Sequence, residues 1–301
     1  MNLPLISVVM SVKNSGIKAI KTIQSILNQQ KIDLEFIIVD DGSSDDTRVK
    51  LSEIAATDNR IKLLFRQARG LTLSLIEACE YAKGEFIARQ DVCDYSMPER
   101  LFCQASSLAA QASASICSSY VRFITEERVT VWIQCSSASD MKQNFTGIIH
   151  GSTMFRRNDY IKVGGYRQQF YYAQDVDLWS RLIEIGEHIV IPEILYENCL
   201  FPDSISGSRK KEQTKLHKFI VGATKARRAG KEETLWLKRA SSFSDKCRLN
   251  AMNKLNNGNG AYFIGACLTK NNPLLAKKYL DLAINHNPFD LRARLKVLGL
   301  K

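Results

Sequence analysis

No stretch of the 301-residue chain approaches the roughly 20 consecutive apolar residues that span a bilayer. The stretch Met1 to Met10 also lacks the basic residue that precedes the apolar segment of a secretory signal. The expectation is a cytoplasmic protein. Eight cysteines are present, but none forms a C-x-x-C pair and no spacing suggests a zinc site or a disulfide framework. Reduced thiols filling small apolar holes are expected. Six prolines and 16 glycines are too few for a collagen-like or low-complexity chain, and 45% hydrophobic residues suffice for at least one large core.

Charge divides the chain in two. Residues 1–204 carry 21 Lys and Arg against 25 Asp and Glu, whereas residues 205–301 carry 21 against 6. The first part alternates strand-like apolar runs with segments of helical period, the pattern of a sheet with helices on its faces. LISVVMSV (5–12) and LEFIIVDD (34–41) read as buried strands around a helix bearing Ile20, Ile23 and Leu27. A helix over 71–83 is stopped by Gly84 and followed by the strand FIAR (86–89). Ser96 and Glu99 have the spacing of a capping box for a helix to about residue 110. SYVRFI and RVTVWI flank a TEE turn as a hairpin, GSTMFRR (151–157) leads into VGGY, and Asp175 to Ile185 carries Leu178, Leu182 and Ile185 on one face before the strand HIVIPEILY. Beyond residue 204 only helical periodicity remains. The predicted domains are therefore 1–204 and a basic α-helical region, 205–301.

Ligands of open α/β sheets lie beyond the carboxyl ends of the strands, and acids gather there. Asp40 and Asp41 close one strand, Asp91 and Asp94 follow another, and Asp175 and Asp177 open a helix. Each string alone has a plain structural explanation: Asp-Gly-Ser-Ser-Asp is also a turn with a cap, and Asp175 is also a favourable charge in a first helical turn.

Their order is more specific. SVVMSVKN, IIVDDGSSDDT, RGL, GEFIARQDVCDYSMPERL, HGSTMFRR, VGGYR and AQDVDLWSRL together resemble family-2 glycosyltransferases of the GT-A fold, over about residues 3–208. The resemblance implies a Rossmann-like mixed sheet flanked by helices, to which the helical C-terminal region is appended. It also implies inverting transfer of a sugar from a nucleoside diphosphate sugar, of UDP or dTDP type, to a hydroxyl of a glycan or lipid-linked acceptor in surface polysaccharide biosynthesis. Carried onto this chain, it places the nucleotide at Ser11, Val12, Asp40, Asp41, Arg69 and Asp91, and Mg²⁺ or Mn²⁺ at Asp94 and Asp91. Asp175 is the implied general base, taking the acceptor proton.

Two positions depart from the family pattern. Where Asp-x-Asp-Asp is expected the chain reads Asp91-Val92-Cys93-Asp94, and a soft thiol is a poor ligand for hard Mg²⁺. The metal is therefore expected to bind weakly until the diphosphate brings its own oxygens. Gln174 stands where an acid usually precedes the catalytic aspartate, and it can only hydrogen-bond. These losses motivate the alternative of a nucleotide-sugar-binding pseudoenzyme or scaffold. Trp179 reads as core or as a platform for an acceptor sugar, His150 as structural, and Arg209, Lys210 and Lys211 as a diphosphate clamp or as the exposed start of a helix. The basic tail suits peripheral docking on an anionic membrane. Its helices equally suit packing on the transferase domain or an oligomer interface. No nucleic acid is expected, because no aromatics interleave the basic residues.

Overall fold

The computed structural model describes residues 3–138, 147–204, 209–251 and 258–300. The expected domain boundary after residue 204 therefore abuts residues 205–208, which lie outside the described residues.

One mixed sheet organises the first 200 residues. Its strands are β1 (Ile6–Val12), β2 (Leu34–Asp41), β3 (Ile61–Arg66), β4 (Phe86–Arg89), β5 (Tyr95–Ser96), β6 (Ala114–Ile124), β7 (Thr130–Gln134), β8 (Met154–Arg156) and β9 (Glu187–Cys199). They lie in the order β3-β2-β1-β4-β8-β6-β9-β5, with β7 paired to β6. Strands β3, β2, β1 and β4 are parallel. Strand β8 joins antiparallel to both β4 and β6. Because β2 and β4 flank β1 on opposite sides, the strand order reverses at β1. The crevice beyond the carboxyl ends of such strands is where this topology binds ligands.

Helices cover both faces, which is why β1 and β2 read as continuous apolar runs rather than alternating ones. Helices α1 (Gly16–Leu27), α2 (Thr47–Thr57) and α4 (Arg100–Ala110) pack on Val8, Met10, Phe36 and Ile38. On the opposite face, α3 (Leu71–Tyr81), the short α5 (Arg157–Lys162) and α6 (Gln174–Ile185) cover Val9, Ile37, Val39 and Ile87. The expected capping box does not form. Ser96 lies in β5 and its hydroxyl donates to Gln90 Oε1 at 2.8 Å, while α4 begins at Arg100 with no side-chain cap.

The C-terminal region is helical in the described residues: α7 (Lys210–Arg228), α8 (Thr234–Ala251), α9 (Asn259–Leu268), α10 (Pro273–His286) and α11 (Leu291–Leu298). It packs against the sheet-bearing part. Leu216 and Ile220 of α7 and Ala240 of α8 bury Phe170 and Tyr172, while Ile264, Leu268, Ala276 and Tyr279 of α9 and α10 meet Val131 of the hairpin. Of the roles left open for these helices, packing on the sheet-bearing part is thus seen for α7, α8, α9 and α10.

Candidate active site

Strand β1 ends with Ser11 and Val12, both buried, and Val12 lies in register with Asp40. Asp40 and Asp41 are buried too and take protein donors. Asp40 accepts from Arg48 Nε at 2.6 Å and from the Ser43 amide at 3.3 Å. Asp41 accepts from the amides of Arg69 (2.8 Å) and Gly70 (2.9 Å) and from Ser74 Oγ (3.1 Å). Asp41 thus fixes the start of α3, where amides would otherwise be orphaned. The two carboxylates were expected to meet the nucleotide as open acceptors; in the structure they first shape the loops around its expected position. The turn between them and α2 requires Gly42: its φ is +74°, and a Cβ would stand 2.5 Å from the Ala68 amide nitrogen. Arg69 was expected as a free nucleotide contact, but its guanidinium pairs with Glu77, which also takes Arg66 at 2.5 Å.

The strand end after β4 separates Asp91 from Asp94. Asp94 is 3% exposed and its carboxylate is fully engaged: Oδ2 accepts from Tyr196 Oη (2.9 Å) and Asn198 Nδ2 (2.8 Å), Oδ1 from the Cys199 amide (2.8 Å). Burial, then the charge of Asp91, pushes its carboxyl well above the usual carboxylate range. Asp94, expected as a metal ligand, thus turns both carboxylate oxygens to protein donors and ties the loop to β9. Cys93 has φ +72° and a thiol pushed up to about 12 by burial, so it stays protonated and offers no hard ligand. Among the described residues, no three His, Cys, Asp or Glu side chains converge on a position that could hold an ion. The residues present do not build a metal cage of their own.

Asp91 keeps a side chain 33% exposed and pairs through Oδ1 with Arg89 Nη2. Sequence reasoning passed over Arg89 as the last residue of a strand, although an arginine closing a buried run is itself a signal. It is fully buried, donates to the carbonyls of Val9 (3.0 Å) and Gln90, and lies under the site. Arg100, another fully buried cation, donates to Gln90 Oε1 (3.1 Å), Ser96 Oγ (2.8 Å) and the Arg89 carbonyl (2.8 Å). Gln90 in turn donates to the Asp91 carbonyl at 3.0 Å. Gly151 leaves room for this arrangement, since a Cβ there would lie 2.0 Å from Tyr196 Oη and 2.9 Å from Asp91 Oδ2.

Asp175 belongs to a different element and interacts electrostatically with Asp91 and Arg89. It is the second residue of α6, after Ala173 at φ +59°, a left-handed conformation that costs a non-glycine residue about 1–3 kcal/mol. Burial raises its carboxyl above the usual range, Asp91 raises it further, and amides at the helix start and Arg89 oppose them. Asp91, Arg89 and Asp175 therefore share one electrostatic environment. Gln174 is buried beside it, and Asp177 faces inward to Arg181 at 2.5 Å. Trp179 is core, edge-on to Phe155 and His150. His150 bonds Tyr166 Oη at 2.7 Å and is held neutral by burial and by Arg89. Arg209 is buried against Glu212 at 3.4 Å, near Tyr171 and Tyr172, whereas Lys210 and Lys211 are exposed.

Comparison with known proteins agrees with this architecture. An uncharacterized glycosyltransferase of Haemophilus influenzae is 27% identical over 234 residues, 73% of this chain and 72% of that protein. Among solved structures, TarS of S. aureus in complex with UDP aligns with a TM-score of 0.58 at 16% identity, over 98% of this chain and 88% of that one. The mannosyltransferase PcManGT of Pyrobaculum calidifontis, in complex with GDP-Man and Mn²⁺, aligns with a TM-score of 0.58 at 17% identity, over 98% and 87%. At such identities the two structures speak for the fold. Residues 7–165 match the glycosyl transferase family 2. With the strand order, the acidic strand ends and more than half of its length in agreement, the chain belongs to glycosyl transferase family 2.

Proposed function

We propose that this glycosyltransferase inverts the anomeric centre of a nucleoside diphosphate sugar, of UDP or dTDP type, as it passes the sugar to a hydroxyl of a glycan or lipid-linked acceptor in surface polysaccharide synthesis. The observation that carries the reading is the placement of Asp175 in the first turn of α6, where its carboxyl interacts electrostatically with Asp91 and Arg89, themselves paired just beyond β4. Ionised Asp175 takes the proton of the acceptor hydroxyl, whose oxygen bonds to the anomeric carbon. The bond from that carbon to the diphosphate breaks on the opposite side, and the electron pair leaves with the nucleotide. A carboxyl of raised proton affinity is a better base near neutrality than an ordinary aspartate.

Ser11, Val12, Asp40, Asp41 and the Arg69 loop form the nucleotide side, and Asp91 faces the diphosphate. Mg²⁺ or Mn²⁺ at this edge would be held by the diphosphate oxygens together with Asp91. The work is proposed to be cytoplasmic; no helix among the described residues is long and apolar enough to cross a membrane.

Calorimetric titration with UDP, dTDP, GDP and CDP sugars, with and without Mn²⁺, should show binding of a uridine or thymidine donor, strengthened by the metal. The transferred sugar should carry the inverted anomeric configuration by NMR. Binding of none of these donors, or a product of retained configuration, would overturn the reading.

A further inference from the structure

Helix α11 is apolar on two opposite faces. Ala293 is buried and Val297 packs with Leu280 and Ala283 of α10, so one face is accounted for. On the other, Leu291, Leu295 and Leu298 are 70%, 68% and 60% exposed, and Phe289, just before the helix, is 89% exposed. At the pitch of an α-helix the three leucines fall within about 60° of arc, a continuous stripe. Exposed apolar stripes of this kind, rimmed by polar residues, mark interaction surfaces. Arg292, which pairs with Asp290 at 2.6 Å, and Arg294, whose Nε donates to the Pro288 carbonyl at 2.7 Å, border the stripe on its two sides, and residues 287–301 hold four basic residues and one acid, a net positive rim.

We infer that this stripe docks the protein on an anionic lipid surface, with the leucines and Phe289 in the acyl boundary and the flanking arginines on lipid phosphates. Charge decides between occupants. A second copy would bring the same arginines against one another, whereas an anionic bilayer supplies apolar depth and negative charge together. Long arginine stems beside leucines can reach outward to headgroups while covering apolar surface. The inference goes beyond the transferase reading and rests on it only for its purpose, bringing the site to a lipid-linked acceptor.

The test is co-sedimentation of the full chain with vesicles of phosphatidylglycerol and, separately, of phosphatidylcholine, at low and high salt. Binding to phosphatidylglycerol alone, weakened by salt, is expected. The Leu291→Ser, Leu295→Ser, Leu298→Ser triple variant should lose at least about tenfold in partition, since each leucine withdraws apolar area from the bilayer. Arg294→Glu, which leaves the stripe intact, should lose binding in the same direction. Circular dichroism melting confirms that both variants are folded, and donor binding measured on the same preparations should equal that of the wild type. Absence of binding to phosphatidylglycerol, or a triple variant that binds as well as the wild type, would overturn the docking. So would a wild-type dimer that the triple variant converts to monomers. A wild-type protein that binds donor but no phosphatidylglycerol vesicles sinks docking alone, while a wild-type protein that binds vesicles but no donor sinks the transferase reading alone.

Discussion

Asp175 is an aspartate whose proton affinity is set by what surrounds it. Burial comes first, and the neighbouring Asp91 adds to it. Both favour the neutral acid, so the base is lost on acidification at a higher pH than the roughly 3.9 of a free aspartate. The rate of donor hydrolysis should therefore rise with pH along an acid limb and level off above the raised pKa. In Asp91→Asn one negative neighbour disappears, and the limb should move to lower pH even if the plateau falls. A pH profile of kcat/KM on both proteins reads the limb independently of its height; an unmoved limb would mean that the two carboxylates do not sense each other. From sequence the acids of QDVCDY were visible, but their division of labour was not. Tyr196, Asn198 and Cys199, a hundred residues downstream, turn Asp94 inward. No local pattern records a partner so distant.

Between elements, an ion network holds α6, the helix that carries the proposed base. Arg167 donates to Glu233 at 2.6 Å and lies 3.7 Å from Asp177 of α6; Glu233 also takes Arg227 of α7 at 2.6 Å, and Arg227 reaches Glu184 of α6 at 2.6 Å. Beside it, Phe170, Tyr172 and Val176 pack with α7 and α8, which holds Ala173 in its left-handed conformation just ahead of Asp175. Arg167→Met should destabilise the fold by about 1.5–3 kcal/mol, the scale of a hydrogen bond to a charged group. A urea double-mutant cycle with Glu233→Gln should show coupling of about 0.5–3 kcal/mol; strictly additive effects would mean the pair contributes nothing. The helix itself was legible, because Leu178 and Leu182 recur at helical spacing and Gly186 ends it. Its restraint was not. Arg167 was legible only as the last residue of VGGYR, and no sequence spacing joins it to Glu233 or Arg227.

Across the whole molecule, a near-neutral sheet region and a strongly basic helical region are joined by apolar packing at two places, the Phe170–Tyr172 loop and the Val131 hairpin. Most main strands were readable because both sheet faces are covered and each run is bounded by polar turns, whereas β3 (Ile61–Arg66), only partly buried, and the order of strands in the sheet were not. The contact between the two regions was unreadable, since an amphipathic helix carries no label for what it covers. The consequence is functional: the basic region supports the loop that presents Asp175, so the site depends on both parts of the chain. The most direct test of that site is Asp175→Asn in the full-length protein, comparing donor affinity by calorimetry with donor hydrolysis in a single preparation. Removal of a positioned base typically costs about 10²- to 10⁴-fold, so hydrolysis should fall by that factor while donor affinity stays near that of the wild type. Full activity in Asp175→Asn would contradict the assignment of the base and, with it, the reading of the whole carboxylate edge.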